Sequence, residues 1–248
     1  MIGLVRVREW KIPMVTFLVG VSGIFGYHFL LFTAFRHAPM VEANLINYLW
    51  PLLIVVLSPM VLKGYRLGVH HVVGALAGLT EAGLLVSGGR LNFDVAALSG
   101  YLAAFSAAVI WALYSLLTKR LPLFPSGAVG VFCLSAGVLS LSIYLFEAGP
   151  AGFLILQVSD WLFLCLLGIG PLGAAFFLWD ASMKRGDPRK IGSLSYLTPL
   201  LSTLFLVILG GKRLTVLSLT AMVFILAGAL VGSFSFKKSE RKRSVERN

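Results

Sequence analysis

Tyr48-Leu-Trp-Pro51-Leu-Leu53 and Tyr196-Leu-Thr-Pro199-Leu-Leu201 are two versions of one string, set 148 residues apart. A second pair, Phe29-Leu-Leu-Phe-Thr-Ala34 and Phe176-Phe-Leu-Trp-Asp-Ala181, stands at an offset of 147. Two matches at nearly one offset, in the same order, are the mark of an internal repeat. Each string lies inside a run of mainly apolar residues about 20 long, the length that crosses a bilayer as a helix. Continuing along the chain, eight such runs fall at 14–36, 40–62, 69–90, 95–118, 127–146, 160–182, 189–209 and 214–236. The matched runs are therefore the first with the sixth and the second with the seventh. A separation of five spans is odd, so it reverses direction through the membrane and makes the repeat an inverted one, a construction shared by many secondary transporters. The third span pairs with the eighth, which leaves the fourth and fifth without partners in the first half. The expected architecture is all-α and integral to the membrane, about eight helices taken from an incomplete 5+5 inverted repeat, with two further helices expected before Met1. Residues 1–90 are then a three-span remnant of the first repeat, 91–236 a five-span second repeat, and 237–248 a basic tail.

Composition agrees with a chain whose solvent is lipid: 58% of residues are hydrophobic, 12% are charged and the mean hydropathy is +0.91. The 26 glycines suit close helix approach in lipid, and Gly74-Ala-Leu-Ala-Gly78 and Gly228-Ala-Leu-Val-Gly232 read as small-residue packing faces. A net charge of +11 would suggest nucleic acid if it were spread evenly. It is not. With a cytoplasmic N-terminus, 17 of the 21 Lys and Arg residues collect on the cytoplasmic side, and Arg36, Arg90, Lys212 and Arg213 are left on the other. This asymmetry places both termini in the cytoplasm and demands an even number of spans. The tail Lys237-Lys-Ser-Glu-Arg-Lys-Arg243 fits anionic headgroups, so the bilayer is the partner and nucleic acid is not. Cys133 and Cys165 both fall inside spans, which argues against a disulfide, and no spacing of residues suits a metal or other cofactor.

The polar residues within spans mark the candidate site. Pro51 and Pro199 lie near the middle of their spans, where each removes a helix hydrogen bond and frees the carbonyl four residues back, at Asn47 and Ser195. Lipid cannot satisfy such a carbonyl, so this backbone should face protein or a water-filled cavity. Asn44, Asn47, Tyr48 and Pro51 share one face at i, i+3, i+4, i+7 spacing, with Trp50 on its flank. Ser195, Pro199 and Ser202 form a second stripe, flanked by Tyr196 and Thr203, and Trp111, Tyr114, Ser115 and Thr118 form a third. For Trp111 and Tyr114 core packing and cavity lining weigh equally. Rings with polar handles suit a zwitterion with an apolar side chain. His28 and Glu81 are the candidates for proton coupling, Glu81 being the only carboxylate deep in a span. For Glu81 a protonated acid at a helix contact is an equal alternative. Asp180 stands four residues before Lys184, a spacing that favours a local ion pair. Trp10, Trp161 and Trp179 fall near span ends and read as interface anchors.

An enzyme is the competing class, because Gly20-Val-Ser-Gly23 resembles an intramembrane serine protease motif. Ser22 and His28, six residues apart on one helix, would stand about 120° apart around its axis, too far for a nucleophile and its base. No zinc-protease, phosphate-loop or dinucleotide motif is present in the sequence. A degenerate, non-transporting membrane paralogue is the other alternative.

The inverted repeat, the string Ala34-Phe-Arg-His-Ala-Pro39 before a span, and the paired Pro51 and Pro199 resemble the EamA-type branch of the drug/metabolite transporter superfamily. Glu42-Ala-Asn-Leu-Ile-Asn-Tyr-Leu-Trp-Pro51 with Tyr27-His28 is similar to its aromatic amino-acid exporter subgroup. That resemblance implies a secondary carrier in the bacterial inner membrane, exporting amino acids or related metabolites from the cytoplasm by alternating access. Tyr27, His28, Asn44, Asn47, Tyr48, Trp50, Pro51, Trp111, Tyr114, Ser195, Tyr196 and Pro199 are then the expected substrate-binding set.

Overall fold

The computed structural model describes residues 12–87, 93–150, 156–208 and 223, and among them every regular element is helical. The α-helices in chain order are α1 (Met14–His37), α2 (Met40–Asn47), α3 (Leu49–Val61), α4 (Val69–Ser87), α5 (Leu98–Arg120), α6 (Ala128–Ala148), α7 (Val158–Ile169), α8 (Ala175–Arg185), α9 (Pro188–Ser195) and α10 (Leu197–Ile208). Among the described residues, five stretches are long and apolar enough to cross a membrane: Met14–His37, Met40–Val61, Val95–Arg120, Ala128–Ala148 and Val158–Arg185. The protein is an all-α, multi-pass membrane protein. The third and seventh expected spans coincide with α4 and with α9 and α10 together, while the eighth, 214–236, lies outside the described residues.

Surface and interior follow the rules of lipid. No residue of α7 is buried, and Leu162, Phe163 and Leu166 are each more than half exposed, an arrangement that would be costly against water and costs nothing against acyl chains. The interior belongs to α5, which buries Gly100, Ala104, Ala107, Ala108, Trp111, Ala112, Tyr114, Ser115, Leu116 and Thr118. It runs antiparallel to α1, as the contacts of Gly23 with Tyr114, Tyr27 with Trp111 and Gly100 with Ala38 show. Small residues permit these approaches. A Cβ on Gly20 would fall 2.5 Å from the Phe132 ring, and one on Gly100 would fall 2.7 Å from the backbone nitrogen of Ala38. Backbone cannot rotate away as a side chain can. Gly100→Ala is therefore expected to destabilise the protein by about 1–3 kcal/mol. Gly26→Ala should be neutral or slightly stabilising, because the nearest atom to its added Cβ is 3.5 Å away. Thermal unfolding in detergent checks the pair, and equal midpoints would contradict this packing.

Among the described residues, three interruptions break the spans. α2 and α3 meet at Tyr48, α9 and α10 meet at Tyr196, and a π-helical turn, Gly170–Ala174, joins α7 to α8. Tyr48 and Tyr196 are the repeat-related positions, each three residues before its proline. The two broken helices cross: Gly192 of α9 lies against the Pro51 carbonyl and Val55, and Tyr196, fully buried, fits over Gly78 of α4. Gly78 thus serves as the packing face expected of it. Gly228 and Gly232 lie outside the described residues.

Among the described residues, basic ones that the sequence groups together gather at one end of the bundle. Lys119 Nζ donates to the carbonyls of Met183, Lys184 and Gly186 at 2.9, 3.3 and 2.6 Å, and Arg189 donates to the Arg66 carbonyl. Asp187 also belongs to this end. Burial alone would raise its carboxyl, but the hydrogen bonds and charge of Arg189 hold it below the ordinary carboxylate range.

Candidate functional site

The breaks in α2–α3 and α9–α10 place backbone polar groups inside the bundle, and one side chain serves them. Tyr196 Oη donates to the Tyr48 carbonyl at 3.0 Å and accepts from the Leu52 amide at 3.2 Å. Leu52 N–H and Tyr48 C=O would be partners in an unbroken α-helix, so the hydroxyl has entered the ladder between them. The irregular backbone is thus matched by protein, as the bilayer requires.

Beside this crossing lies a cavity of about 460 Å³, within the range of about 300–1,000 Å³ usual for small-molecule sites. Its aromatic wall comes from four helices: Tyr27 and Phe32 on α1, Trp50 on α3, Trp111 on α5, and Phe176 and Trp179 on α8. Trp179 meets Trp50 edge to face, with centroids 5.3 Å apart at 86°, and Trp111 stands 6.4 Å from Trp50 at 83°. Such edge contacts hold rings at fixed angles. Polar groups are few. His28, Ser195 and Thr198 reach the wall, and among the described residues no Asp, Glu, Lys or Arg lines it.

Of the twelve residues singled out from sequence, Tyr27, His28, Trp50, Trp111 and Ser195 line this cavity. The other seven stand outside its lining. Asn47 donates Nδ2 to the Tyr27 hydroxyl at 3.2 Å while its Oδ1 has no hydrogen-bond partner among the described residues. Tyr48 contributes its carbonyl, Tyr196 its hydroxyl, and Pro51 its contact with Gly192. Tyr114 is buried against Gly23, within the core formed with Ile24 and Phe132. Asn44 on α2 and Pro199 on α10 stand away from the lining. Of the flanking residues, Ser202 is exposed, and Ser115 and Thr118 hydrogen-bond to the Trp111 and Ser115 carbonyls. Glu81 falls on α4 with its side chain outside the described residues, as does that of Thr203.

Trp179 requires a correction. The sequence places it near a span end as an interface anchor, yet its indole Nε1–H donates to Ser115 Oγ at 2.9 Å and its ring closes the cavity. The cause is the π-helical turn, whose extra residue rotates the downstream face by about 100°. Gly168-Ile-Gly-Pro171-Leu-Gly173 is the signal that would have found it: Pro171 breaks the ladder, and Gly173 lies so close to the Gly168 carbonyl that a Cβ would not fit. Pro171 and Leu172 themselves line the cavity. Trp161 is exposed at the start of α7, in keeping with an anchor, and Trp10 lies outside the described residues. The protease-like arrangement does not form. Ser22 Oγ donates to the Leu18 carbonyl and His28 Nδ1 to that of Ile24, each within its own helix.

The EamA-like transporter family model matches residues 2–87 and 98–234. The aromatic amino acid exporter YddG of Ancylobacter novellus is 43% identical over 237 residues, covering 94% of this chain and 79% of that protein. A protein of the same name from Salmonella typhimurium is 28% identical over 207 residues, covering 81% of this chain and 69% of its own length. A solved crystal structure, 41% identical, superposes with a TM-score of 0.83 over 92% of this chain and 78% of its own. The match over most of its length shows that the chain belongs to the EamA-like transporter family.

Proposed function

We propose that this chain is a secondary transporter that exports amino acids, aromatic ones among them, by alternating access across a bacterial inner membrane. The observation that carries the reading is the cavity itself, a wall of three indoles, two phenyl rings and a phenol with a few neutral polar groups, beside the crossing of the two broken helices. Such a wall takes an apolar or aromatic side chain by area and edge contact, and its hydroxyl, imidazole and indole groups supply hydrogen bonds to the ligand's ends. Two relatives that bear the name of aromatic amino acid exporters support the same substrate class. In this reading the two half-repeats rock about the Tyr48–Tyr196 crossing, so that the cavity opens to one side and then the other. The basic end of the bundle faces the cytoplasm, and His28, the one titratable imidazole in the wall, is the candidate for proton coupling, together with Glu81.

Uptake of labelled phenylalanine, tryptophan and leucine into inverted membrane vesicles tests this. The chain should accumulate the aromatic substrates above empty vesicles, and collapsing the proton gradient should reduce accumulation if His28 or Glu81 couples it. Protein that inserts normally yet moves no amino acid would overturn the proposal and favour a non-transporting paralogue.

A further inference from the structure

The cavity leaves one chemical demand unmet. A zwitterionic amino acid carries a carboxylate and an ammonium, and among the described residues no charged side chain lines the aromatic wall. Both charges are available close by. α1 and α6 run side by side, touching where Gly20 meets Phe132, and toward their C-terminal ends they leave a groove of about 310 Å³ between them. Gly137, midway along α6, has nothing within 4 Å of where its Cβ would stand, which marks where the helices part. Arg36 of α1 and Glu147 of α6 line the groove, with Phe29, Phe32 and Tyr144 as its rings. His28 and Phe32 line groove and cavity alike, so the two spaces share a wall.

Stability does not account for the pair of charges. Arg36 and Glu147 are exposed, no ion pair joins them among the described residues, and an exposed pair would contribute little. We infer that this groove is a second binding station for a zwitterionic amino acid, in which Arg36 receives the carboxylate, Glu147 the ammonium, and Phe29 and Phe32 the side chain. The inference rests on the amino-acid export reading and deepens it. The aromatic cavity selects the side chain, and the groove, at the end of the bundle away from Lys119 and Lys184, takes up the two charges as the ligand leaves. Charge-assisted hydrogen bonds are roughly twice as strong as neutral ones, so a charged station beside a neutral one gives the ligand a place to step to.

The test is efflux of labelled phenylalanine from proteoliposomes holding the full chain, inhibited by unlabelled phenylalanine, phenylalanine amide or N-acetylphenylalanine. Arg36→Gln should weaken inhibition by phenylalanine and by the N-acetyl compound, which carry the carboxylate, by about tenfold, and leave the amide unchanged. Glu147→Gln should do the converse, weakening phenylalanine and the amide and sparing the N-acetyl compound. A structural or long-range effect would shift all three inhibitors together, and that result, or no shift in any, would overturn the inference. If the unmutated chain releases no phenylalanine, the export reading itself has failed, and that failure is recognisable because it precedes any substitution.

Discussion

Lys184→Met should lose about 3–5 kcal/mol of stability, the cost of leaving a buried carboxylate without its countercharge. The Asp180 side chain is 1% exposed. Its Oδ2 accepts from Lys184 Nζ and from Ser126 Oγ, both at 2.6 Å, while Oδ1 has no hydrogen-bond partner among the described residues. The lysine also donates to the Phe124 carbonyl at 2.8 Å and sits 3.5 Å above the Phe124 ring, so it joins α8 to the segment between α5 and α6. With methionine in its place, one hydroxyl would be left to hold a carboxylate out of water. The double variant Asp180→Asn, Lys184→Met should recover most of the loss, because an amide demands far less solvation than a charge. Thermal unfolding of the detergent-solubilised variants checks both. A single variant as stable as its parent would mean that water or lipid headgroups already solvate Asp180.

The second large effect concerns transport. Trp50→Ala and Trp179→Ala should each reduce phenylalanine uptake into inverted vesicles by about tenfold or more, equivalent to at least about 1.4 kcal/mol, while membrane insertion stays normal. Each indole forms a face of the cavity and holds the other edge to face. Removing either deletes contact area for the ligand and loosens the ring opposite. Trp179→Phe keeps a ring but loses the bond to Ser115, so it should fall between alanine and the parent. Uptake unchanged in both alanine variants would remove this wall from the substrate's path.

Hydropathy made the membrane class and most helices legible in the sequence, because a bilayer imposes one length and one solvent on every span. The repeat strings marked the two crossing points for a related reason: a broken helix in lipid must be surrounded by protein, and few residues can do that. Long-range partnership was not legible. The prolines directed attention to the carbonyls of Asn47 and Ser195, yet the group that enters the helix comes from Tyr196, 148 residues from the carbonyl it serves. The stripe through Asn44, Asn47, Tyr48 and Pro51 presumes an unbroken helix, and the turn at Tyr48 separates its members. Tyr114 and Trp111 are three residues apart on one helix and diverge in role, since Gly23 admits one ring to the core and the widened turn of 170–174 brings Trp179 up against the other. Asp180 and Lys184 were predictable as a pair because their spacing is local.

The tyrosine that bridges the two halves also constrains how the molecule can be made. Synthesis delivers Tyr48 and Leu52 to the membrane well before residue 196 exists. In that interval the Leu52 amide and Tyr48 carbonyl have only each other, and the ordinary solution is a continuous helix, since an unmatched backbone group in hydrocarbon costs several kcal/mol. The first half is therefore expected to enter the bilayer straighter than it ends, and to be opened by a hydroxyl arriving from the second. On this account the break that Pro51 favours at Tyr48 is completed only in late assembly, and a nascent chain halted before residue 196 would hold the wrong shape for its own cavity.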